Sequence, residues 1–253
     1  MMRNLPDGVR YIAPVAAIPT LALALLFFAS PRAQAQDSTP AKTPYPAMAP
    51  MQQYLIPDRN DEIKMARSAA PDLISRDAEV LVLTAHGYES AAPGKNGFVC
   101  LVERNWTAGI NDPGFWNPKT RGPLCLNPAA ARTYLPRTIK KTELAIAGRT
   151  KAQIVEAIAS AVDKKELPSL EPGAMSFMLS KQGYLGDEAA GPWLPHLMFF
   201  ASTSDPQSWG AGVPDSPVIA LESPEEHLIT FLVPVRQWSD GSPAPPPQDQ
   251  HSH

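Results

Sequence analysis

The chain has 253 residues, a formal net charge of -3 and 44% hydrophobic residues, which is enough apolar content for one well-packed core. No basic stripe or run of lysines is present that could neutralise a row of phosphates, so we do not expect the protein to bind nucleic acid. Many of the 29 prolines lie near the two ends, in residues 39–50 and 242–247, which is typical of stiff, unpacked segments.

The first 35 residues have the three parts of a secretory signal: two early arginines, an apolar run over 11–30 and a small-residue exit, Ala-Gln-Ala, at 33–35. We therefore expect cleavage after Ala35 and a secreted or periplasmic location. The alternative is an uncleaved anchor over 12–29, which would be the only expected contact with a membrane. Cleavage would remove three arginines and one aspartate, so the charge would change from -3 to -5.

The composition divides the chain into four parts. We predict a signal peptide over 1–35, a disordered Pro- and Ala-rich tether over 36–57, a single folded domain over 58–238 and a disordered tail over 239–253. The domain contains both cysteines, Cys100 and Cys125.

In an exported chain, the pair Cys100 and Cys125 indicates a disulfide. Closing a loop of about 25 residues would contribute about 3.5 kcal/mol in the chain-entropy model. A catalytic thiol is the alternative, but neither cysteine begins a C-x-x-C redox pair.

The first half of the domain combines one helix with two strands. Helical spacing of apolar residues after Asn60, a fair N-cap, predicts a helix, and Pro71 limits how far this helix can extend. The β-branched, apolar runs 78–84 and 98–103 predict a hairpin or two neighbouring strands. Residues 105–126 show neither the helical nor the strand periodicity of apolar residues. We therefore predict an ordered excursion of the chain, without regular secondary structure, that the disulfide holds in place.

Helices occupy the middle of the domain. Two helical runs, 129–135 and 138–147, are separated by Pro136. The clearest helix covers 150–165, where Thr150 is a suitable N-cap and one face is apolar.

Four further strand candidates follow: 174–180, 196–202, 218–221 and 228–235. Because strands flank the helices rather than alternating with them, we predict an α+β fold. The expected architecture is a mixed or antiparallel sheet of about five to six strands, with two to four helices packed on one face and one disulfide.

The sequence lacks the common catalytic signatures. There is no zinc-protease H-E-x-x-H, no G-x-S-x-G elbow, no S-x-x-K motif, no phosphate loop and no dinucleotide turn. Asn105-Trp106-Thr107 matches the short glycosylation pattern.

Three histidines lie at predicted strand ends: His86, His196 and His227. Three glutamates are candidate partners: Glu103, Glu225 and Glu226. Strand ends on one edge of a sheet can converge, so a zinc site with an open position is one hypothesis. The scattered spacing does not support it, and we predict no cofactor. His86, Glu103, His196 and His227 are also the candidate catalytic residues.

A polar, glycine-containing loop over 180–188 follows a predicted strand. Lys181 and Tyr184, together with His196, could hold an anionic or carbonyl group. The alternative is a simple hairpin connection whose glycines serve turns.

All five tryptophans lie beside turn residues. Rings held on loops suit a groove, so we predict an aromatic-lined cleft with Trp116 and Trp193 as ligand-binding residues. The alternative is that tryptophans cover the ends of a sheet.

The leading functional hypothesis is an exported soluble domain that binds a small molecule or an extended envelope polymer in this cleft. The alternative is a hydrolase, metal-assisted or not, that uses His86, His196 and His227 with a nearby glutamate. A third hypothesis, a partner within an envelope assembly, would require a sizeable exposed apolar patch.

Overall fold

The computed structural model describes residues 45–107, 112–184, 186, 194–202 and 205–245. The predicted signal peptide, residues 36–44 of the predicted tether and residues 246–253 of the predicted tail lie outside the described residues. Within the described part of the chain, no helix is both long and apolar enough to cross a membrane.

The described residues form one sheet of eight strands with helices. The strands are β1 (Glu79–Thr84), β2 (Gly87–Ala92), β3 (Val99–Glu103), β4 (Gly122–Leu126), β5 (Met175–Met178), β6 (His196–Ala201), β7 (Ile219–Ser223) and β8 (Leu228–Pro234). The helices are α1 (Arg59–Arg67), α2 (Asp72–Ser75), α3 (Pro128–Thr133), α4 (Leu135–Ile146) and α5 (Lys151–Asp163). Short 3-10 turns lie at Met51–Gln53, Asn105–Thr107, Pro206–Trp209 and Pro224–Glu226.

The sheet is mixed, with the strand order β2-β1-β3-β4-β5-β6-β8-β7. Strands β1 and β3 are parallel, and the other neighbours are antiparallel. The α+β class and the mixed sheet are therefore confirmed.

The predicted number of strands, five to six, was too low, because β2 and β4 were missed. β2 is a polar strand at the edge of the sheet, so half of its positions carry no apolar signal. β4 begins with Gly122 and Pro123, two residue types that weaken the signal of a central strand. The excursion over 105–126 thus ends in a strand that lies inside the sheet.

Helices cover both faces of the sheet, so the prediction of one covered face was wrong. On one face, Leu101 and Leu124 share a core cluster with Tyr134, which joins α3 to α4. On the other face, Val102 packs with Ala66 of α1. The buried residues of α1 and its C-terminal end are mostly alanines, so the sequence gives only a faint apolar stripe for this second layer.

Side-chain caps set the helix starts. Thr150 forms a capping box at α5, and Asn127 accepts a hydrogen bond from the backbone of Ala130 at the start of α3. Asp58, rather than Asn60, caps α1. Pro136 lies in the first turn of α4, where its missing N–H costs nothing, and does not break the helix.

Packed chain begins before Asp58. Tyr54 is fully buried, its hydroxyl donates to the carbonyl oxygen of Trp116 at 2.8 Å, and its own carbonyl accepts from Arg104 Nε at 2.7 Å. Arg104 also pairs with Glu62 of α1 at 3.0 Å, and both side chains are buried. Arg104 therefore connects the end of β3 both to α1, through Glu62, and to the segment before α1, through Tyr54.

The predicted disulfide is confirmed. Cys100 of β3 lies directly opposite Cys125 of β4, and both are fully buried. The bridge closes a loop with a sequence separation of 25. That loop includes Glu103 and Asn105, two residues of the cleft described below.

We expect the double substitution Cys100→Ala and Cys125→Ala to lower the free energy of unfolding by about 3.5 kcal/mol, because the unfolded chain gains loop entropy. Urea unfolding of the oxidised wild type and the variant measures this difference. Reduced wild-type protein is the control and should match the variant. A difference under about 1 kcal/mol would contradict the expected role of the bridge.

Candidate functional site

A cleft of about 560 Å³ lies on the sheet face that carries Leu101 and Tyr134. Its apolar wall comes from neighbouring strands: Met178, Met198, Leu221, Leu228 and Leu232. Met198 lies opposite Leu232 in the β6–β8 register, so the two side chains share this face. The polar side chains of the cleft include Glu103, Asn105, Thr107, Asp112, Lys141 and His196.

Glu103 is the last residue of β3 and is 9% exposed. Its carboxylate accepts a hydrogen bond from Thr138 Oγ1 of α4 at 3.1 Å. Burial raises the pKa of Glu103 to about 7, although hydrogen bonds from Thr138 and Thr107 and the charge of Lys141 oppose the rise. The group can therefore exchange a proton near neutral pH.

A buried ion pair holds one side of the cleft. Lys141 Nζ of α4 lies 2.6 Å from Glu226 Oε1, and the side chains are 7% and 2% exposed. The same ammonium donates to the carbonyl oxygen of Thr107 at 3.3 Å. Through these two buried contacts, one lysine of α4 connects the helix to the turn before β8 and to the segment after β3.

Asn105 contributes an unsatisfied donor. It is 2% exposed and lines the cleft, and its Nδ2 has no hydrogen-bond partner within the described part of the chain. Gly114 leaves room for this amide, since a Cβ at that position would lie 3.0 Å from Nδ2. The glycosylation pattern at Asn105 therefore falls on a buried side chain.

His196 begins β6 and is 7% exposed. Its Nδ1 lies 2.8 Å from the carbonyl oxygen of Leu194, a contact in which only Nδ1–H can donate. Burial lowers the pKa of His196 below its ordinary value of 6.5, and this hydrogen bond opposes the change. The imidazole is therefore neutral at neutral pH.

The structure brings together Glu103 and His196, but neither His86 nor His227 lines the cleft. His86 is exposed in the turn between β1 and β2, and exposed His227 lies 3.6 Å from Asp163. Strands β1 and β8 are five strand positions apart in the sheet order, or about 24 Å. Among the residues with described positions, no group of three or more His, Cys, Asp or Glu is placed to hold a metal.

The loop after β5 connects antiparallel neighbours, and its described residues do not line the cleft. Lys181 pairs with Asp240 at 2.7 Å on the surface. Tyr184 forms a backbone bridge with Arg121. Trp193 lies outside the described residues.

The aromatic lining differs from the expectation. Trp116 is 6% exposed and packs in a core cluster with Tyr54, away from the cleft. Among the described lining residues, the aromatic ring is Tyr134, which stacks on Phe200 with ring centroids 3.7 Å apart. The cleft wall is thus mainly Met and Leu.

Sequence reasoning missed Asn105, Lys141 and Tyr134 as site residues. Asn105 lies two residues after Glu103, and a polar residue so close to a candidate carboxylate was an available signal. Lys141 and Tyr134 belong to a region that the sequence predicted only as helical. Their partners lie far along the chain, so local pattern could not find them.

The raised pKa of Glu103 predicts how stability depends on pH. The fold favours the protonated carboxyl, so its stabilising contribution is greatest below about pH 4.5 and is lost as the pH rises to about 7. Glu103→Gln mimics the protonated form. Relative to wild type, the variant should gain about 3 kcal/mol of unfolding free energy across that pH range and then level off.

Urea unfolding from pH 4 to pH 8, at about half-unit steps, measures the gain. Glu222→Gln is the control, because this side chain is exposed and lies opposite Ile229 on the other face of β7. The stability of the control variant should follow that of the wild type at every pH. A constant difference between Glu103→Gln and wild type would contradict the prediction.

The Lys141–Glu226 pair gives a second prediction. Lys141→Met leaves a buried carboxylate without its cation, so the free energy of unfolding should fall by about 3–5 kcal/mol. Adding Glu226→Leu should recover most of the loss. Lys64→Met, which removes an exposed pair with Asp61, should cost about 0.5 kcal/mol or less. Equal losses for the two lysine variants would contradict the buried role.

Comparison of the chain with protein-family models, with curated proteins and with solved structures gives no match. The chemistry of the cleft is therefore the basis for a function. Its three defining features are an apolar wall, a buried carboxyl group that titrates near neutral pH and an unpartnered amide donor.

Proposed function

We propose that the protein is a binding module that holds a small, largely apolar organic molecule in this cleft. The main observation that supports this proposal is the size of the cavity. Its volume of about 560 Å³ lies within the range of roughly 300–1,000 Å³ that is typical of small-molecule sites. A few placed polar groups beside an apolar wall are also typical of such sites, because they orient a ligand whose body is held by burial.

Exposed apolar side chains at the edge of the cleft support an apolar ligand body. Leu221 lines the cleft and is 53% exposed, and Ile219, two residues earlier on the same face of β7, is 50% exposed. Strand β7 is the last strand of the sheet. A ligand that covers these two residues would remove their apolar surface from water.

The hydrolase alternative is less well supported. Glu103 and His196 share the cleft, but His86 and His227 do not line it. A small molecule is also favoured over an extended polymer, because Glu103, Asn105 and His196 are buried at the cleft wall rather than displayed along a surface.

We also propose a location outside the cytoplasm. Two observations support it: the signal-like composition of residues 1–35 and a fully buried disulfide. Structural disulfides persist in oxidising compartments and are rare in the cytosol.

The uncharged apolar dye N-phenyl-1-naphthylamine tests the binding function. We expect it to bind the wild-type protein with a blue-shifted emission, because the cleft wall excludes water. Leu221→Glu should weaken binding about fivefold, through loss of roughly 1 kcal/mol of apolar contact. The matched control is Leu73→Glu, since Leu73 is 73% exposed on α2 and does not line the cleft.

Titration followed by fluorescence gives the affinity of each protein for the dye. The Leu73→Glu protein should bind like wild type. Absence of dye binding to wild type, or equal weakening by the two substitutions, would overturn the proposed function.

A further inference from the structure

We propose that the ligand of the cleft is an organic cation: its ammonium group pairs with Glu103, and an oxygen atom near that charge accepts a hydrogen bond from the Asn105 side chain. This inference rests on the proposed function and names the ligand class for the same site. The rest of the ligand is the apolar body that the Met and Leu wall accommodates.

Charge balance favours a cation. The side chains of Glu103 and Asp112 line the cleft, whereas the cation that lines it within the described chain, Lys141, is already paired with Glu226 at 2.6 Å. Burial lowers the pKa of His196, so this residue adds no positive charge at neutral pH. The cleft therefore has an excess of carboxylates, which attract an ammonium group and repel an anion.

The internal stretches outside the described residues do not change the sign of this balance. Residues 108–111, 185, 187–193 and 203–204 contain no lysine or arginine, and 187–188 is Asp-Glu. No basic residue from these stretches is available to neutralise the carboxylates of the cleft.

Asn105 is an independent indication of a ligand. Its side chain is 2% exposed and lines the cleft, yet Nδ2 has no partner among the described residues. Leaving a buried donor unsatisfied costs about 1–3 kcal/mol. A ligand oxygen at this position would supply the missing acceptor. Because Asn105 and Glu103 line the same cleft, one ligand can contact both residues.

The surroundings of Glu103 predict how binding depends on pH. The groups near it are Thr138, Lys141 and Tyr134 from the α4 region, Thr107 from the turn after β3, Tyr88 of β2, whose pKa is raised by burial, and His196 and Asp112 of the same cleft. Of these, Lys141 is held by Glu226, and the raised pKa of Tyr134 keeps its hydroxyl neutral. Ionisation of Glu103 therefore sets the charge that an ammonium group meets.

Four probes with the same 3-phenylpropyl body separate the contribution of the ammonium charge to binding from that of the oxygen atom. Phenylalaninol carries an ammonium group and a hydroxyl oxygen, 3-phenylpropylamine only the ammonium group, 3-phenylpropanol only the oxygen, and 3-phenylpropionate a carboxylate. Each competes with N-phenyl-1-naphthylamine for the wild-type protein at pH near 7.5. We expect phenylalaninol to displace the dye at the lowest concentration and 3-phenylpropionate to need at least about tenfold more than 3-phenylpropylamine.

Substitutions at Glu103 and Asn105 test the two proposed contacts with the ligand. Glu103→Gln should reduce the advantage of 3-phenylpropylamine over 3-phenylpropanol about fivefold or more. Glu222→Gln, at an exposed carboxylate that lies opposite Ile229 on the other face of β7, should reduce it less than about twofold. Asn105→Leu should abolish the advantage of phenylalaninol over 3-phenylpropylamine. Thermal unfolding of each variant checks that the fold is retained.

A further measurement needs no variant. In wild-type protein, the advantage of 3-phenylpropylamine over 3-phenylpropanol should grow between about pH 6 and about pH 8 as Glu103 ionises. A carboxylate probe that displaces the dye as well as the amine, or an amine advantage that neither pH nor Glu103→Gln changes, would overturn the cationic ligand. Dye binding that depends on Leu221 would then still support the cleft as a binding site, so the two proposals fail separately.

Discussion

The pairing of β3 with β4, joined by the Cys100–Cys125 disulfide, is the constraint on which the cleft depends. The chain leaves β3 at Glu103, forms the turn that contains Asn105 and returns into β4. Both ends of this excursion are held in the middle of the sheet, because β3 and β4 have neighbours on both sides. The side chains of Glu103 and Asn105 are therefore held in place by rigid central strands, although Asn105 belongs to an irregular segment.

Buried charges are used differently on the two faces of the sheet. On the α1 face, Arg104 and Glu62 are fully buried and hydrogen-bonded, which makes them a structural tie. On the cleft face, Glu103 accepts hydrogen bonds but has no ion-pair partner among the described residues, because Lys141 pairs with Glu226. The second arrangement is less favourable to folding, and the proposed ligand would supply the charge that this carboxylate lacks.

Much of the local structure could be predicted from sequence. The caps at Asn127 and Thr150, the apolar strand runs and the cysteine pair were all visible. The strand that contains Gly122 and Pro123 was not, because those residues normally interrupt a central strand. Among the candidate residues, Glu103 and His196 share the cleft, whereas the interpretation of Trp116 as a groove residue was not supported, since its ring belongs to the core.

By itself, the sequence determined the α+β class, the helix starts, the disulfide and the acidic balance, since each depends on neighbouring residues or on composition. Only the tertiary structure decided that β4 lies inside the sheet, that helices cover both faces and that Lys141 is neutralised by Glu226. These features depend on contacts between segments far apart in the chain, and the register and order of strands that create them leave no local signal. Residues 105–126 illustrate the difference between sequence and tertiary structure. The pairing of Cys125 could be predicted from sequence, whereas Glu103 and Asn105 become cleft residues only because other strands and helices enclose them.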